Sequence, residues 1–335
     1  MAQDSTQTAG IDTAKTAGID TAKAKLDVAV HGSAERLSVA NEASGWRRLA
    51  AFLHGAGVGR VGIEATGGYE RGAVGFLRAA GFSVLRLQPF QVKSFARTRL
   101  RRAKNDTLDA VLIAGCTTSL PEPSVPPDAR LEGLADQLTF IEQAEEDIAR
   151  AKVRLEHLAD ARQRRLIESD IKRLQRRRTD ELRRIETALE KHADLSKRYR
   201  LVLSIPCIGE RTALAIVIRM PELGQISREQ AAALAGLAPF DNDSGQHKGE
   251  RHIAGGRARL RRSLYMAAFA GAFHWNKALQ ALYQRLLAKG KPVKLALVAC
   301  ARKLIIFANT VVQRGTPWTE KPGQEEMGQT AAALA

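Results

Sequence analysis

Between residues 17 and 110, short apolar runs alternate with polar punctuation. Gly18-Ile19-Asp20 opens a strand, residues 26–30 read as a second and Arg36 to Ala40 as a third. Helical spacing then covers Gly45 to His54 and Tyr69 to Ala80, with strands at Arg60 to Glu64 and Phe82 to Leu87. A helix carrying Asp106 and Asp109 closes the unit. The order β-β-β-α-β-α-β-α predicts an α/β layer arrangement. Pro-rich residues 121–129 read as a linker.

Leu134 to Ile205 contains neither Gly nor Pro. Leu134, Ile141, Ile148 and Leu155 recur every seven residues, with Leu131 and Leu138 on the other heptad position. Leu166, Leu174, Leu182, Ile185 and Leu189 continue less regularly. This spacing predicts a coiled-coil-like helix or helical hairpin, with its turn near Asp160 to Arg165. Beyond it the chain reads as mainly helical. Ser227 and Gln230 form a capping box for a helix reaching Ala235. A polar loop is expected from Pro239 to Gly256, then helices near 258–275, 276–288 and 292–312. The domain reading is an N-terminal extension (1–16), an α/β domain (17–120), the linker (121–129), coiled-coil helices (130–200), a mainly α C-terminal domain (201–315) and a flexible tail (316–335). The octapeptide TAGIDTAK occurs at 8–15 and again at 16–23, and only the second copy leads into the next strand. The first copy, with Asp12 as a duplicate of Asp20, is therefore treated as extension.

The 335 residues carry 52 Lys+Arg against 36 Asp+Glu, a net +16, and 44% of them are hydrophobic. This is no disordered basic tail, and the charge points to a polyanionic partner. Residues 201–310 alone hold 16 basic and 6 acidic groups. Cys116, Cys207 and Cys300 are far apart, which supports neither a zinc knuckle nor a disulfide framework. The N-terminus has no apolar signal core. Val293 to Val312 is interrupted by Arg302 and Lys303, so no membrane span is expected. The expected setting is a reducing bacterial cytoplasm, near the nucleoid.

Asp20 lies on the first strand, Glu64 at the end of a later one, and Asp106 and Asp109 are three apart on a helix. Strand ends and a helix face can bring such acids together. A carboxylate on an apolar strand needs a partner or a metal. Hard divalent cations prefer oxygen ligands, and a pair of them suits phosphodiester chemistry. The order strand-Asp, strand-Glu, helix-DxxD resembles the RNase H-like fold of RuvC-type junction resolvases. Arg97, Arg99, Arg101, Arg102 and Lys104 crowd just upstream of Asp106, as phosphate contacts would.

Two further features lie downstream. Ile205-Pro206-Cys207-Ile208-Gly209 resembles a helix-hairpin-helix turn, with Gly209 admitting a phosphate to backbone amides. Ser244 stands in an Asp/Asn/Gly-rich loop followed by Lys248, Arg251, Arg257, Arg259, Arg261 and Arg262. Such a serine is either a turn former or a nucleophile with cations to stabilise a phosphorane. Ser263 is the second serine considered, within a helix.

Together, Gly18-Ile19-Asp20-Thr21-Ala22-Lys23, Gly62-Ile63-Glu64-Ala65-Thr66-Gly67 and Lys104-Asn105-Asp106-Thr107-Leu108-Asp109-Ala110 resemble the IS110-family (DEDD) transposases. So do the Ile205–Gly209 turn, Leu237-Ala238-Pro239 with Ser244-Gly245, and Lys248-Gly249 with Gly255-Gly256-Arg257. The resemblance implies a RuvC-like N-terminal domain, a coiled coil and a serine-bearing transposase domain. It makes Asp20, Glu64, Asp106 and Asp109 the ligands of two Mg²⁺ (or Mn²⁺) ions and Ser244 the nucleophile. It also implies donor and target DNA, a non-coding bridge RNA, and a dimer or tetramer formed through the coiled coil. Two other readings remain: a RuvC-type structure-specific nuclease, and a non-catalytic nucleic-acid scaffold.

Overall fold

The computed structural model describes residues 15–99, 106–121, 128–240, 243–244, 247–249 and 251–319. For 106–108, 243–244 and 247–248 it describes the backbone alone. The chain divides into two compact units, Met1–Ser124 and Val125–Ala335.

The first unit is built on five strands: β1 (Lys15–Thr21), β2 (Lys25–Val30), β3 (Arg36–Ala40), β4 (Val58–Glu64) and β5 (Ser83–Leu87). Their order is β3-β2-β1-β4-β5. β1, β2 and β3 pair antiparallel, whereas β1, β4 and β5 run parallel. Side chains alternate across a strand, so Ile19, Leu26, Val28, Val61 and Ile63 share one face and are buried there. Helices α1 (Ala43–Gly55) and α2 (Arg71–Ala79) supply Leu49, Leu53, Val74 and Leu77 to the same core. The opposite face receives α4 (Asp106–Ser119), and Ile113 and Cys116 of α4 pack with Leu87 and Val92.

Two local details differ from the sequence reading. β1 starts at Lys15, the last residue of the first octapeptide copy; Asp12 lies outside the described residues. A helix absent from the expected order, α3 (Pro89–Thr98), follows β5. Gln88 and Gln91 cap it reciprocally and Pro89 occupies its first turn, which fixes its start.

The second unit opens with α5 (Ala129–Glu156) and α6 (Ala161–Glu190), a helical hairpin. Leu131, Leu134, Leu138, Ile141 and Ile148 are buried as their heptad spacing requires. The turn falls at 157–160, earlier than expected, because the Asp160 side chain caps α6 by accepting from the Gln163 amide. Leu166 departs from the pattern and is exposed.

Helices α7 (Ala193–Leu203), α8 (Glu210–Arg219), α9 (Arg228–Leu234), α10 (Ala258–Ala270), α11 (Lys277–Ala288) and α12 (Val293–Arg314) complete one continuous core with the base of the hairpin. The Ser227–Gln230 capping box is present at α9. The expected helix over 258–275 is α10 followed by a π-helical turn at Gly271–Trp275. The expected polar loop carries two short ladders, β6 (Pro239–Phe240) with β9 (His252–Ile253) and β7 (Asp243–Ser244) with β8 (His247–Lys248). Among the described residues α12 is long and apolar enough to cross a membrane. It buries Ala296, Cys300, Leu304, Ala308 and Val311 on one stripe against the core, as the central helix of a globular unit does.

Candidate active site

The sheet of the first unit sets two acids side by side. Ile19 of β1 is in register with Ile63 of β4, so the next residues, Asp20 and Glu64, are neighbours on parallel strands. Strand spacing puts their backbones about 4.8 Å apart. By strand alternation both side chains share the face of Gly18 and Gly62, on which α4 lies.

Two glycines and one arginine set the direction of α4. The Arg60 guanidinium donates to the Leu120 and Pro121 carbonyls at 2.8 and 3.0 Å, beyond the C-terminal end of α4. A β-carbon on Gly62 would collide with the Thr117 side chain, lying 2.9 Å from its Cβ. A β-carbon on Gly18 would run into the Ala110 carbonyl oxygen and the Ala114 amide, lying 2.9 Å from Ala114 Cα. Gly62 and Gly18 are register partners, so at that level α4 crosses the sheet from Thr117 over β4 to Ala114 and Ala110 over β1. Asp109 immediately precedes Ala110, whose carbonyl lies against Gly18, two residues before Asp20 on β1. Asp20, Glu64 and Asp109 are all partly exposed. The Asp106 side chain lies outside the described residues. Among the described residues no group of three or more His, Cys, Asp or Glu side chains is close enough to hold a metal ion.

The loop after Glu64 is held from below. Glu70 is buried, and its Oε2 accepts from the Thr66 and Gly68 amides at 3.2 and 3.0 Å. Gly67 and Gly68 have φ of 70° and 106°, a conformation that glycine adopts readily. Of the upstream cations, Arg97 lies in the last turn of α3, and the Arg99 guanidinium lies 5.3 Å from the Phe95 ring centroid. Arg101, Arg102 and Lys104 lie outside the described residues.

In the second unit Ser244 ends β7 and is in register with His247 of β8. Of the cations that follow it, four are already engaged. Arg257 forms two bonds to Glu222, at 2.9 and 2.6 Å. Arg259 donates to Glu142 at 2.9 Å and Arg262 pairs with Glu146. Arg261 donates to the Gly255 and Gly236 carbonyls at 2.6 and 3.3 Å. Arg251 has a partner too. For Lys248 only the backbone, in β8, is described. Ser263 is buried; it accepts from Arg211 at 2.6 Å and donates to the Arg259 carbonyl. Gly209 is the N-cap of α8, which has no side-chain cap, and nothing lies near the glycine where a β-carbon would go. Cys207 in the same turn has φ of 78°, and burial pushes its thiol up to about 12.

Residues 17–161 match the sequence model of the DEDD transposases of the IS110 type, and residues 199–284 match that of the IS116/IS110/IS902 transposase family. The chain belongs to the IS110 family of transposases. Its relatives include the pilin gene-inverting proteins of Moraxella bovis and Moraxella lacunata. Each is 26% identical over 266 residues, covering 77% of this chain and 81% of the relative. An uncharacterized 43.6 kDa protein of insertion element IS110 from Streptomyces coelicolor is 30% identical over 118 residues, 35% of this chain and 29% of its own.

Two residues of this transposase's first unit were missed by sequence reasoning. Asp27 of β2 lies directly opposite Asp20 across the antiparallel ladder, hence on the same face, and pairs with Lys25 at 2.9 Å. The alternation of Leu26, Asp27 and Val28 already placed Asp27 off the core face. Glu70, which holds the loop after Glu64, gave no local signal beyond its place just before a helix.

Proposed function

We propose that the chain is a DNA transposase and recombinase that breaks and rejoins strands through a serine, with Asp20, Glu64, Asp106 and Asp109 as metal ligands and Ser244 as nucleophile. The observation that carries this reading is the close packing of α4 on Gly18 and Gly62, which sets the helix that begins with Asp106 and Asp109 on the sheet face shared by Asp20 and Glu64. The donors are all carboxylate oxygens, a set that fits Mg²⁺ or Mn²⁺. Two such ions, when bound, supply Lewis-acid stabilisation of phosphate charge. The first unit is read as an RNase H-like, RuvC-like fold, supported by the β3-β2-β1-β4-β5 order. The long α5–α6 hairpin is read as the coiled coil that joins copies into a dimer or tetramer.

The chain's own steps involve Ser244. Its hydroxyl oxygen forms a bond to a DNA phosphorus as the phosphorus–sugar oxygen bond breaks. The serine proton leaves and the departing sugar oxygen is protonated. A sugar hydroxyl of the partner strand then reverses the step, releasing the serine and joining the new strand. Because Arg257, Arg259, Arg261 and Arg262 have protein partners, and Arg251 has one as well, these five are assigned to shaping the loop's surroundings and Lys248 to phosphate charge at Ser244. Partner choice is assigned to an element-encoded bridge RNA and the site of action to the bacterial cytoplasm, at the nucleoid. The pilin gene-inverting relatives fit site-specific inversion or insertion by the same strand exchange.

The test is trapping a covalent protein–DNA adduct and mapping its residue. A phosphoserine at Ser244, lost in Ser244→Ala and in Asp20→Asn, is the expected result. Metal-dependent cutting with free ends and no adduct would overturn the serine mechanism in favour of the nuclease reading.

A further inference from the structure

The cations of α6 differ from those following Ser244 in having few acids to hold them. At 100° per residue, Lys172, Arg173, Arg176, Arg177, Arg183 and Arg184 fall within one arc of about 140°. All six are exposed, and the arc lies opposite the buried Ile171, Ile185 and Leu189. Arg162 and Arg165 extend it towards the hairpin turn. Arg173 pairs with Asp170 and Arg184 with Glu181, each at 2.9 Å, within α6 itself. Lys172, Arg176, Arg177 and Arg183 form no ion pair or hydrogen bond with described residues. Asp180 is the acid that interrupts the arc. A groove of about 570 Å³ runs along it, lined by Lys172, Arg173, Arg176, Arg177 and Arg184 among others.

A solvated helix face ordinarily alternates charge at i,i+4. Here Lys172 faces Arg176 and Arg173 faces Arg177 at that spacing, each pair costing a few tenths of a kcal/mol. The neighbouring helix does not relieve them. Glu142, Glu145 and Glu146 of α5 are engaged by arginines of α8 and α10, and Asp147 by Arg150. From Arg162 to Arg184 the stripe is about 33 Å long, close to one turn of duplex.

We propose that the outer face of α6 is a second nucleic-acid surface, which holds the phosphate backbone of duplex DNA outside the reaction site. The choice of DNA rests on the recombinase reading above; the cationic stripe does not. Lys and Arg side chains dominate the lining, and the contact is assigned to backbone phosphates, independent of sequence.

The experiment compares the full chain with a Lys172→Gln, Arg176→Gln, Arg177→Gln variant. Binding to a random-sequence DNA duplex about two turns long is followed by anisotropy across salt concentrations. The expected result is a log K against log salt slope shallower by about 2.7, from about 0.9 for each phosphate no longer neutralised. Affinity at about 0.1 M salt falls roughly tenfold or more, with an unchanged melting temperature. A control variant, Lys289→Gln, Lys291→Gln, Lys294→Gln, removes equal charge elsewhere and should change the slope less. Equal effects in both variants would reduce the stripe to net charge and overturn the proposal. So would a loss confined to duplex RNA, or unchanged DNA binding with an altered sedimentation coefficient, which would make the stripe a contact between copies. If Ser244 forms no adduct while the slope still changes, the serine mechanism fails and the DNA surface stands.

Discussion

Replacing Gly18 by alanine tests whether the close approach of α4 to the sheet is what makes the site. The new β-carbon would meet backbone, the Ala110 carbonyl and the Ala114 amide and Cα, so no side-chain rotation relieves it. With Ala114 Cα at 2.9 Å and the other two atoms closer still, recovering ordinary contact near 3.5 Å needs a shift of roughly 1 Å. Overpacking of that size costs about 1–3 kcal/mol in stability. It also moves the helix bearing Asp106 and Asp109 away from Asp20 and Glu64, and a 1 Å misplacement costs roughly a hundredfold in rate. Thermal melting and adduct formation should therefore separate: a modest fall in melting temperature and about a hundredfold loss of adduct in the protein that remains folded. Gly62→Ala makes the complementary case, because its obstacle is the Thr117 side chain. Adding Thr117→Ala removes the nearest atom, the hydroxyl oxygen, and the γ-methyl, and should restore part of the lost activity, whereas no side-chain change rescues Gly18→Ala. Wild-type adduct yield in Gly18→Ala would refute the argument that α4's approach assembles the acids.

Two other perturbations probe the second unit. Glu142 is buried and accepts from Arg219 and Arg259 at 2.9 Å each, with Arg219 only 14% exposed. Glu142→Ala leaves Arg219 buried without its carboxylate. The usual cost of about 3–5 kcal/mol, reduced because Arg259 remains hydrated, predicts about 2–4 kcal/mol, or roughly 5–10 °C in melting temperature. A shift within about 1 °C would show that the network contributes nothing. At the base of α5, Arg130 bridges Asp128 and Asp194 at 2.7 and 2.8 Å, and its hydrogen bonds hold both carboxyls below their ordinary range. Folded values below unfolded ones mean stability that is present above about pH 4 and lost as pH falls further. Acid titration of the melting temperature should show that loss, and Arg130→Gln should make it shallower; parallel curves for the two proteins would contradict the assignment.

Much of the fold was legible because its signals are local. Short apolar runs between polar residues marked all five strands of the sheet, seven-residue spacing marked α5, and the Ser227–Gln230 box marked the start of α9. Each of these depends on residues a few positions apart. The missed helix α3 had a local signal as well, Gln88 and Gln91 around Pro89, hidden by the basic run that follows it. The short ladders at β6 to β9 gave no such signal, because two-residue strands have too little alternation to read.

The site was legible to a different depth in each unit. The proposed acids were named from the sequence, since carboxylates on an apolar strand and at a strand end are unusual by type and position. Packing decided which face they share and what approaches it: Gly18 and Gly62 read as ordinary strand glycines until α4 lay on them. Asp27 joined Asp20 only through the register of β1 with β2. The basic segment after Ser244 read as one uniform phosphate surface. In the folded chain Arg259 and Arg262 are held by Glu142 and Glu146, more than a hundred residues earlier, while Arg176, Arg177 and Arg183 of α6 stay exposed. Sequence determined which charges and periodicities the chain has, because these are properties of neighbours along it. Only the tertiary structure decided which charges are already neutralised, because ion pairs form between helices whose meeting no local spacing encodes.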